Sequence, residues 1–306
     1  MLIDFAAITH PGKVRRNNED AYLLSALDGE EPIINAPATA LKVSEPGLLV
    51  AVADGMGGAA AGEVASREGL AAMALYLFGH WGRLAPGKGR EADLVKALED
   101  AVREASDAVL RYSDDDRTAR GMGSTLTAAV IWSGCAYVAQ IGDSRAYLLR
   151  QGTLHQLTED QTLVNDLVAQ GSLTREQART HPQRNMITQA LGSPQPLKVA
   201  LSRLALRRGD RVLCCSDGLH GEVGDGHIRE ILNQNLSPRR SLELLLDEAI
   251  TQGARDNVTG VVLALNDPSL PLPVPGEPLN LLHPDSRDLG RGFWGRLRGL
   301  FGGAAS

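Results

Sequence analysis

TLTAAVIWSGCAYVAQIGDSRAYLLRQGTLHQL, residues 125–157, decides the fold class. Two runs with β-branched and aromatic residues, TLTAAVIW and CAYVAQI, flank Ser133-Gly134, a two-residue hairpin signal. Gly142-Asp143-Ser144 then turns the chain into RAYLLR, and Gln151-Gly152 turns it again into TLHQL. The spacing predicts four short strands in an antiparallel meander. Outward from this run, residues 48–53, 211–216 and 258–265 read as further strands.

Helices lie between them. Residues 91–112 place Leu94, Leu98, Val102, Ala105, Val109 and Tyr112 at steps of 4, 4, 3, 4 and 3, with charges on the opposite face. Residues 59–78 form a second, Ala-rich helix and 241–250 a third. Strands and helices come in blocks rather than strict alternation, which predicts an α+β fold with helices layered on antiparallel sheets. Thr158-x-x-Gln161 and Thr174-x-x-Gln177 are capping-box patterns, so 158–184 reads as short polar helices lying over a surface.

The 306 residues are 43% hydrophobic and 22% charged, enough to bury a core and too apolar for disorder. A net charge of −6 gives no electrostatic basis for binding nucleic acid. Three cysteines, two of them adjacent at 214 and 215, exclude a disulfide framework, and a cytoplasmic setting is expected. MLIDFAAITHPGKVRR carries its charge after its apolar stretch, which is not the order of a signal peptide. Residues 121–142 are uncharged and long enough to span a bilayer, but their glycines and threonines favour two strands. After residue 266 six prolines mark an extended linker, 267–290, so the globular unit is expected over 1–266.

Four acids share one context. Asp54 follows LLVAVA, Asp143 follows YVAQIG, Asp217 follows RVLCCS, and Asp256 with Asn257 opens the strand VTGVVLAL. Each caps its own turn if taken alone. If the strand ends meet, each like-charged pair at about 4 Å costs on the order of 4 kcal/mol at an effective dielectric near 20. Protonation or a bound dication relieves that cost. Oxygen ligands without His or Cys suit Mg²⁺ or Mn²⁺ better than Zn²⁺. Glu19-Asp20, with Arg15 four residues before the glutamate, adds an acidic pair and a guanidinium whose planar fork fits phosphate.

Other phosphate chemistries fail on spacing. Six residues after Cys135, Cys214 and Cys215 stand Ile141, His220 and Gly221, so no Cys-x5-Arg loop exists. Asp114-x-Asp116-x-Thr118 fits an aspartyl-phosphate motif but lies in a polar stretch after a helix. Gly224-Asp225-Gly226-His227 continues with Ile228, and Gly87-Lys88 lacks the rest of a P-loop.

The ordered set VRRNNED (14–20), VADGMGG (52–58), GMGSTLTAAV (121–130), IGDSRAYLL (141–149), LTEDQTLV (157–164), ITQALG (187–192), LCCSDGL (213–219) and RDNVT (255–259) resembles the metal-dependent PPM-type serine/threonine protein phosphatases, the bacterial branch above all. The likeness covers about residues 5–265. It implies an αββα sandwich of two antiparallel sheets flanked by helices. It also implies that Asp54 bridges two metals, the Gly55 carbonyl holds the first, and Asp217 and Asp256 hold the second. Asp143 would share a third, looser ion with Asp217. By the same resemblance Glu19 and Asp20 orient metal-bound water, Arg15 grips the phosphate, and 158–184 is a flap. The chain departs from the pattern at Met56, where eukaryotic members carry a His proposed as general acid, so no general acid is assigned. Ala59, Gln161 and Gln189 replace a His, a His and an Arg common in bacterial members.

The expected activity is hydrolysis of phosphoserine or phosphothreonine by direct attack of a hydroxide bridging two Mn²⁺ or Mg²⁺ ions, without a phosphoenzyme. Phosphorylated proteins, including a cognate Ser/Thr kinase or its targets, are the expected partners. A non-catalytic phosphoprotein-binding module and a Ca²⁺-stabilised structural domain are the alternatives. The tail, RGFWGRLRGLFGG within 291–306, reads as a short basic amphipathic element for a membrane surface or a partner groove.

Overall fold

The computed structural model describes residues 3–27, 32–35, 47–57, 61–81 and 91–284. Two antiparallel sheets face each other. The first runs β1 (Asp4–His10), β11 (Val258–Leu265), β10 (Asp210–Cys215), β7 (Arg145–Arg150), β8 (Thr153–Gln156). The second runs β2 (Asp20–Ala26), β3 (Leu48–Met56), β5 (Leu126–Trp132), β6 (Cys135–Ile141), β9 (Ala200–Ala205), with the short β4 (Gly123–Ser124) on the end of β3.

Three apolar layers hold this stack. Leu24, Val50, Val52 and Val138 of one sheet meet Leu148, Val212, Val261 and Leu263 of the other in the inner layer. Helices α1 (Ala61–Trp81) and α2 (Glu91–Asp115) cover the second sheet. Of the predicted stripe, Leu94, Leu98, Val102, Ala105 and Val109 form the buried face of α2, whereas Tyr112 in its last turn is exposed. Helices α5 (Asp217–His220), α6 (Asp225–Leu232) and α7 (Pro238–Gln252) cover the first sheet. The result is the expected α+β sandwich, with α7 beginning earlier than residue 241 because Ser237 caps it and Pro238 fits its first turn. Of the expected 59–78 helix, residues 59 and 60 lie outside the described residues.

The 125–157 run folds differently from a four-strand meander. Ser133-Gly134 and Gln151-Gly152 both have positive φ and make the two tight hairpins, β5–β6 and β7–β8. Gly142-Asp143-Ser144, however, carries the chain from the second sheet to the first, so the hairpins belong to opposite layers. Thr127 Oγ1 and Gln140 Nε2 both donate to the Ser144 carbonyl and hold this crossing.

Thr158 and Gln161 do not cap a helix either. The Thr158 hydroxyl accepts from the Ala146 amide, and α3 (Leu163–Ala169) is capped by Thr162. The Thr174–Gln177 box does form, opening α4 (Arg175–Thr180). The Pro-rich segment is extended, yet through residue 284 it lies against the domain. Leu270 is buried, Leu279 and Leu281 pack on the inner layer, and Leu282 exchanges two backbone bonds with Arg203 of β9. The tail at 291–306 lies outside the described residues, and among those described no helix is long and apolar enough to cross a membrane.

Candidate functional site

The strand ends do meet. Asp20 opens β2 and stands directly across from Asp54 of β3. Asp54 is locked by Thr125: the Asp54 amide donates to Thr125 Oγ1 at 2.9 Å and the Thr125 amide to the Asp54 carbonyl at 2.8 Å. From the other sheet, β10 ends at Cys215, and the hydroxyl of the next residue, Ser216, donates to Asp20 Oδ2 at 2.7 Å and accepts from the Thr259 amide. Ser216 is also the N-cap position of α5, so the next residue, Asp217, enters the site from the first sheet. Its carboxyl lies near enough to that of Asp54 for the two to act on each other electrostatically. Asp256 precedes β11, and its Oδ2 accepts from Arg15 Nη2 at 2.7 Å. Asp143, in the crossing between sheets, is buried beside them.

Two oxygens converge beside α1. A Cβ placed on Gly62 would lie 2.8 Å from Glu19 Oε2 and 2.9 Å from the Gly55 carbonyl oxygen. A side chain at 62 would fill that cradle, so the glycine keeps both oxygens accessible to a common ligand. The Glu19 carbonyl is held by the Gly55 amide and by Ser66 Oγ at 2.7 Å.

Burial and mutual repulsion dominate the electrostatics. Burial pushes Asp54 well above the usual carboxylate range, and the charges of Asp20, Asp217, Asp143 and Asp256 push it further. Asp20 rises to about 7, mainly through burial, although bonds from Thr259 and Ser216 pull it back. Asp143 also rises to about 7, through burial first and then the charges of Asp217 and Asp160. Burial and Asp256 raise Asp217, and burial raises Glu19 against the pull of Arg15. Arg15, bonded to Asp256, holds its proton more tightly than usual.

The donor set fits hard divalent cations. Asp20 Oδ1 and Asp217 Oδ1 are buried with no hydrogen-bond partner, an expensive state for a carboxylate unless a cation faces it. Among the described residues no three His, Cys, Asp or Glu side chains stand ready to enclose one ion. The carboxylates are neighbours rather than a closed cage, and Arg15 holds Asp256. Oxygen-only ligands of this charge suit Mg²⁺ or Mn²⁺.

Thus Arg15, Glu19, Asp20, Asp54, Gly55, Asp143, Asp217 and Asp256 gather at one edge of the sandwich. Several functional neighbours escape sequence reasoning. Asn257 bonds to the loop carrying Arg15, and His220 Nε2 lies 3.1 Å from the Asp143 carbonyl, its pKa lowered to about 4 chiefly by burial. Arg145 forks onto Asp160 at 2.8 and 2.6 Å, pinning the base of the 158–184 segment to β7. Gln161 accepts from the Gly142 amide at 2.8 Å and donates to the Lys198 carbonyl, while Gln189 accepts from the Lys198 amide. The two glutamines flagged as departures therefore brace this region together.

Comparison with known proteins agrees with this architecture. The family model described as Protein phosphatase 2C matches residues 36–257. The serine/threonine protein phosphatase PstP of Mycobacterium tuberculosis is 38% identical over 267 residues, 87% of this chain but 46% of PstP, so the chain spans about half that relative's length. The serine/threonine phosphatase stp of Listeria welshimeri is 31% identical over 258 residues, covering 84% of this chain and 94% of that one. A crystal structure of the PstP catalytic domain with two manganese ions superposes with a TM-score of 0.69 at 37% identity, covering 87% of this chain and 99% of that chain.

Proposed function

The chain belongs to the protein phosphatase 2C family, and from that premise we propose that it is a metal-dependent protein serine/threonine phosphatase. The observation that carries the reading is the convergence of Asp20, Asp54, Asp143, Asp217 and Asp256, with two buried carboxylate oxygens unpartnered, next to an arginine. The likeness to the serine/threonine phosphatases PstP and stp, and the manganese ions of PstP, support it.

Asp54, the Gly55 carbonyl, Asp217 and Asp256 would hold two Mn²⁺ or Mg²⁺ ions, and Asp143 with Asp217 a third. Such ions supply Lewis-acid activation of water and neutralise charge on the phosphoryl oxygens. The chain supplies the rest. Glu19 and Asp20 accept hydrogen bonds that orient the attacking water. Arg15 turns its fork from Asp256 to the phosphoryl oxygens and fixes the ester for in-line displacement. The segment braced by Arg145, Asp160 and Gln161 borders the opening and meets the substrate protein.

Phosphorylated proteins are the substrates, with a cognate Ser/Thr kinase or its targets among them. The setting is cytoplasmic, residues 1–266 form the catalytic unit with 267–284 bracing it, and the tail at 291–306 engages a membrane surface or a partner. The test is Mn²⁺-dependent release of phosphate from a phosphothreonine peptide. Chelator should stop it, and Asp54→Ala or Asp217→Ala should abolish it; full activity in folded Asp54→Ala would refute the site.

A further inference from the structure

We propose that Asn257 is a positioning residue that fixes the arginine loop over the metal-ligand cluster. The inference rests on the phosphatase reading above and adds a residue that reading does not use. Asn257 is only 4% exposed, and its single amide group closes the loop 11–19 at both ends. Its Nδ2 donates to the Pro11 carbonyl at 3.0 Å and to the Asn17 carbonyl at 2.9 Å. Its Oδ1 accepts from the Glu19 amide at 2.8 Å. Its own backbone amide donates to Asp256 Oδ1 at 2.9 Å. One residue therefore touches the loop before Arg15, the loop after it, the Glu19 backbone and a metal-ligand carboxylate.

The loop's remaining anchors are scattered single contacts. It forms neither helix nor strand, and Arg15 near its middle is 53% exposed. The Lys13 amide donates to the Ala254 carbonyl at 2.8 Å, Asn18 Nδ2 donates to Thr9 Oγ1 at 2.7 Å, and the Glu19 carbonyl is held by the Gly55 amide and Ser66 Oγ. Gly12 sits so close to this segment that a Cβ there would lie 2.2 Å from the Asp256 carbonyl oxygen. The loop is thus pressed against residues 254–257, and the Asn257 amide sets where it presses. Loss of that amide leaves the Glu19 N–H and two carbonyls unpaired and lets Arg15 drift relative to Asp256. A catalytic group displaced by about 1 Å costs on the order of 10²-fold in rate.

The test uses the full-length chain as wild type, Asn257→Ala, Asn257→Asp, Arg15→Ala and the double variant Asn257→Ala/Arg15→Ala, each checked for folding by circular dichroism. Activity is read on p-nitrophenyl phosphate with Mn²⁺, inhibition with inorganic phosphate, and metal affinity by calorimetry with Mn²⁺ alone. Asn257→Ala should lower kcat/KM by about 10²-fold and weaken phosphate inhibition by about 10-fold, with Mn²⁺ affinity changed by less than about 3-fold. In the Arg15→Ala background the same substitution should cost less than about 3-fold, because the two residues act as one unit. Additive losses in the double variant, or unchanged phosphate inhibition, overturn the proposal.

Amide exchange of the metal-free protein gives a second readout. Asn257→Ala should speed exchange at Glu19 and Lys13. Asn257→Asp should restore protection at Glu19 alone, since it keeps the acceptor but not the donors. If Asn257→Ala does not fold, Asn257→Asp carries both comparisons, and wild-type-like phosphate inhibition in it counts against the proposal. If the wild type hydrolyses nothing with Mn²⁺, the phosphatase reading fails, while the exchange data still judge the clamp.

Discussion

Replacing Asp143 by asparagine should stabilise the metal-free protein, and only above mildly acidic pH. Asp143 is 8% exposed and its carboxyl titrates at about 7, against about 3.9 in an unfolded chain. An acid whose folded pKa is raised binds more protons folded than unfolded between those two values. Its charge therefore costs nothing below about pH 4, costs progressively more as pH rises, and reaches its full penalty above about pH 7. Roughly three units at 1.36 kcal/mol each set that penalty at about 4 kcal/mol as an upper bound. Asparagine keeps the shape and removes the charge. Urea unfolding with excess chelator should show Asp143→Asn more stable by a few kcal/mol at pH 8, a midpoint shift of about 1 M for a slope near 3 kcal/mol/M. At pH 5 the gain should fall below about 2 kcal/mol. An equal gain at both pH values, or a loss at pH 8, would refute the reasoning that burial and Asp217 hold this carboxyl in an unfavourable charged state.

Three further outcomes follow from other parts of the molecule. Arg150 and Asp210 form a buried pair at 2.6 Å, so Asp210→Ala should strand the guanidinium and cost about 3–5 kcal/mol in denaturant unfolding, with Mn²⁺ affinity unaltered by calorimetry. A chain ending at residue 266 loses buried Leu270 with Leu279 and Leu281, and should melt lower in scanning calorimetry by the equivalent of at least about 2 kcal/mol; an unchanged melting temperature would mean that 267–284 braces nothing. Gln161→Ala leaves the Gly142 amide without its acceptor, which should cost about 1–3 kcal/mol and speed protease cleavage within 158–190, whereas wild-type cleavage kinetics would remove the bracing role.

Much of this molecule is legible in its sequence where the signal is local. Residues 258–265 form a strand from end to end, the two hairpin turns stand at Ser133-Gly134 and Gln151-Gly152, and the α2 stripe is buried from Leu94 to Val109, though not at Tyr112. What escapes is non-local. Gly142-Asp143-Ser144 carries a turn signal whether the chain returns within one sheet or crosses to another, and only packing selects the crossing. Thr158 and Gln161 have capping chemistry, but the Ala146 and Gly142 amides take their oxygens first. Strands β1, β2 and β9 mix polar with apolar residues and draw their definition from partners elsewhere in the chain. The acids of the site were visible because each sits at a strand end beside a turn. Asn257 stands beside Asp256 at the same strand opening, but its role is not legible there, because the carbonyls that give it one lie 246 and 240 residues away.

The central claim is that these strand ends converge on divalent ions, and anomalous diffraction from crystals grown with Mn²⁺ tests it most directly. The account predicts two peaks about 3.5–4 Å apart, with Asp54 between them, Asp217 and Asp256 on one, and Arg15 released from Asp256. Crystals with Mn²⁺ in the solvent, no anomalous density among these carboxylates and Arg15 still bonded to Asp256 would contradict it.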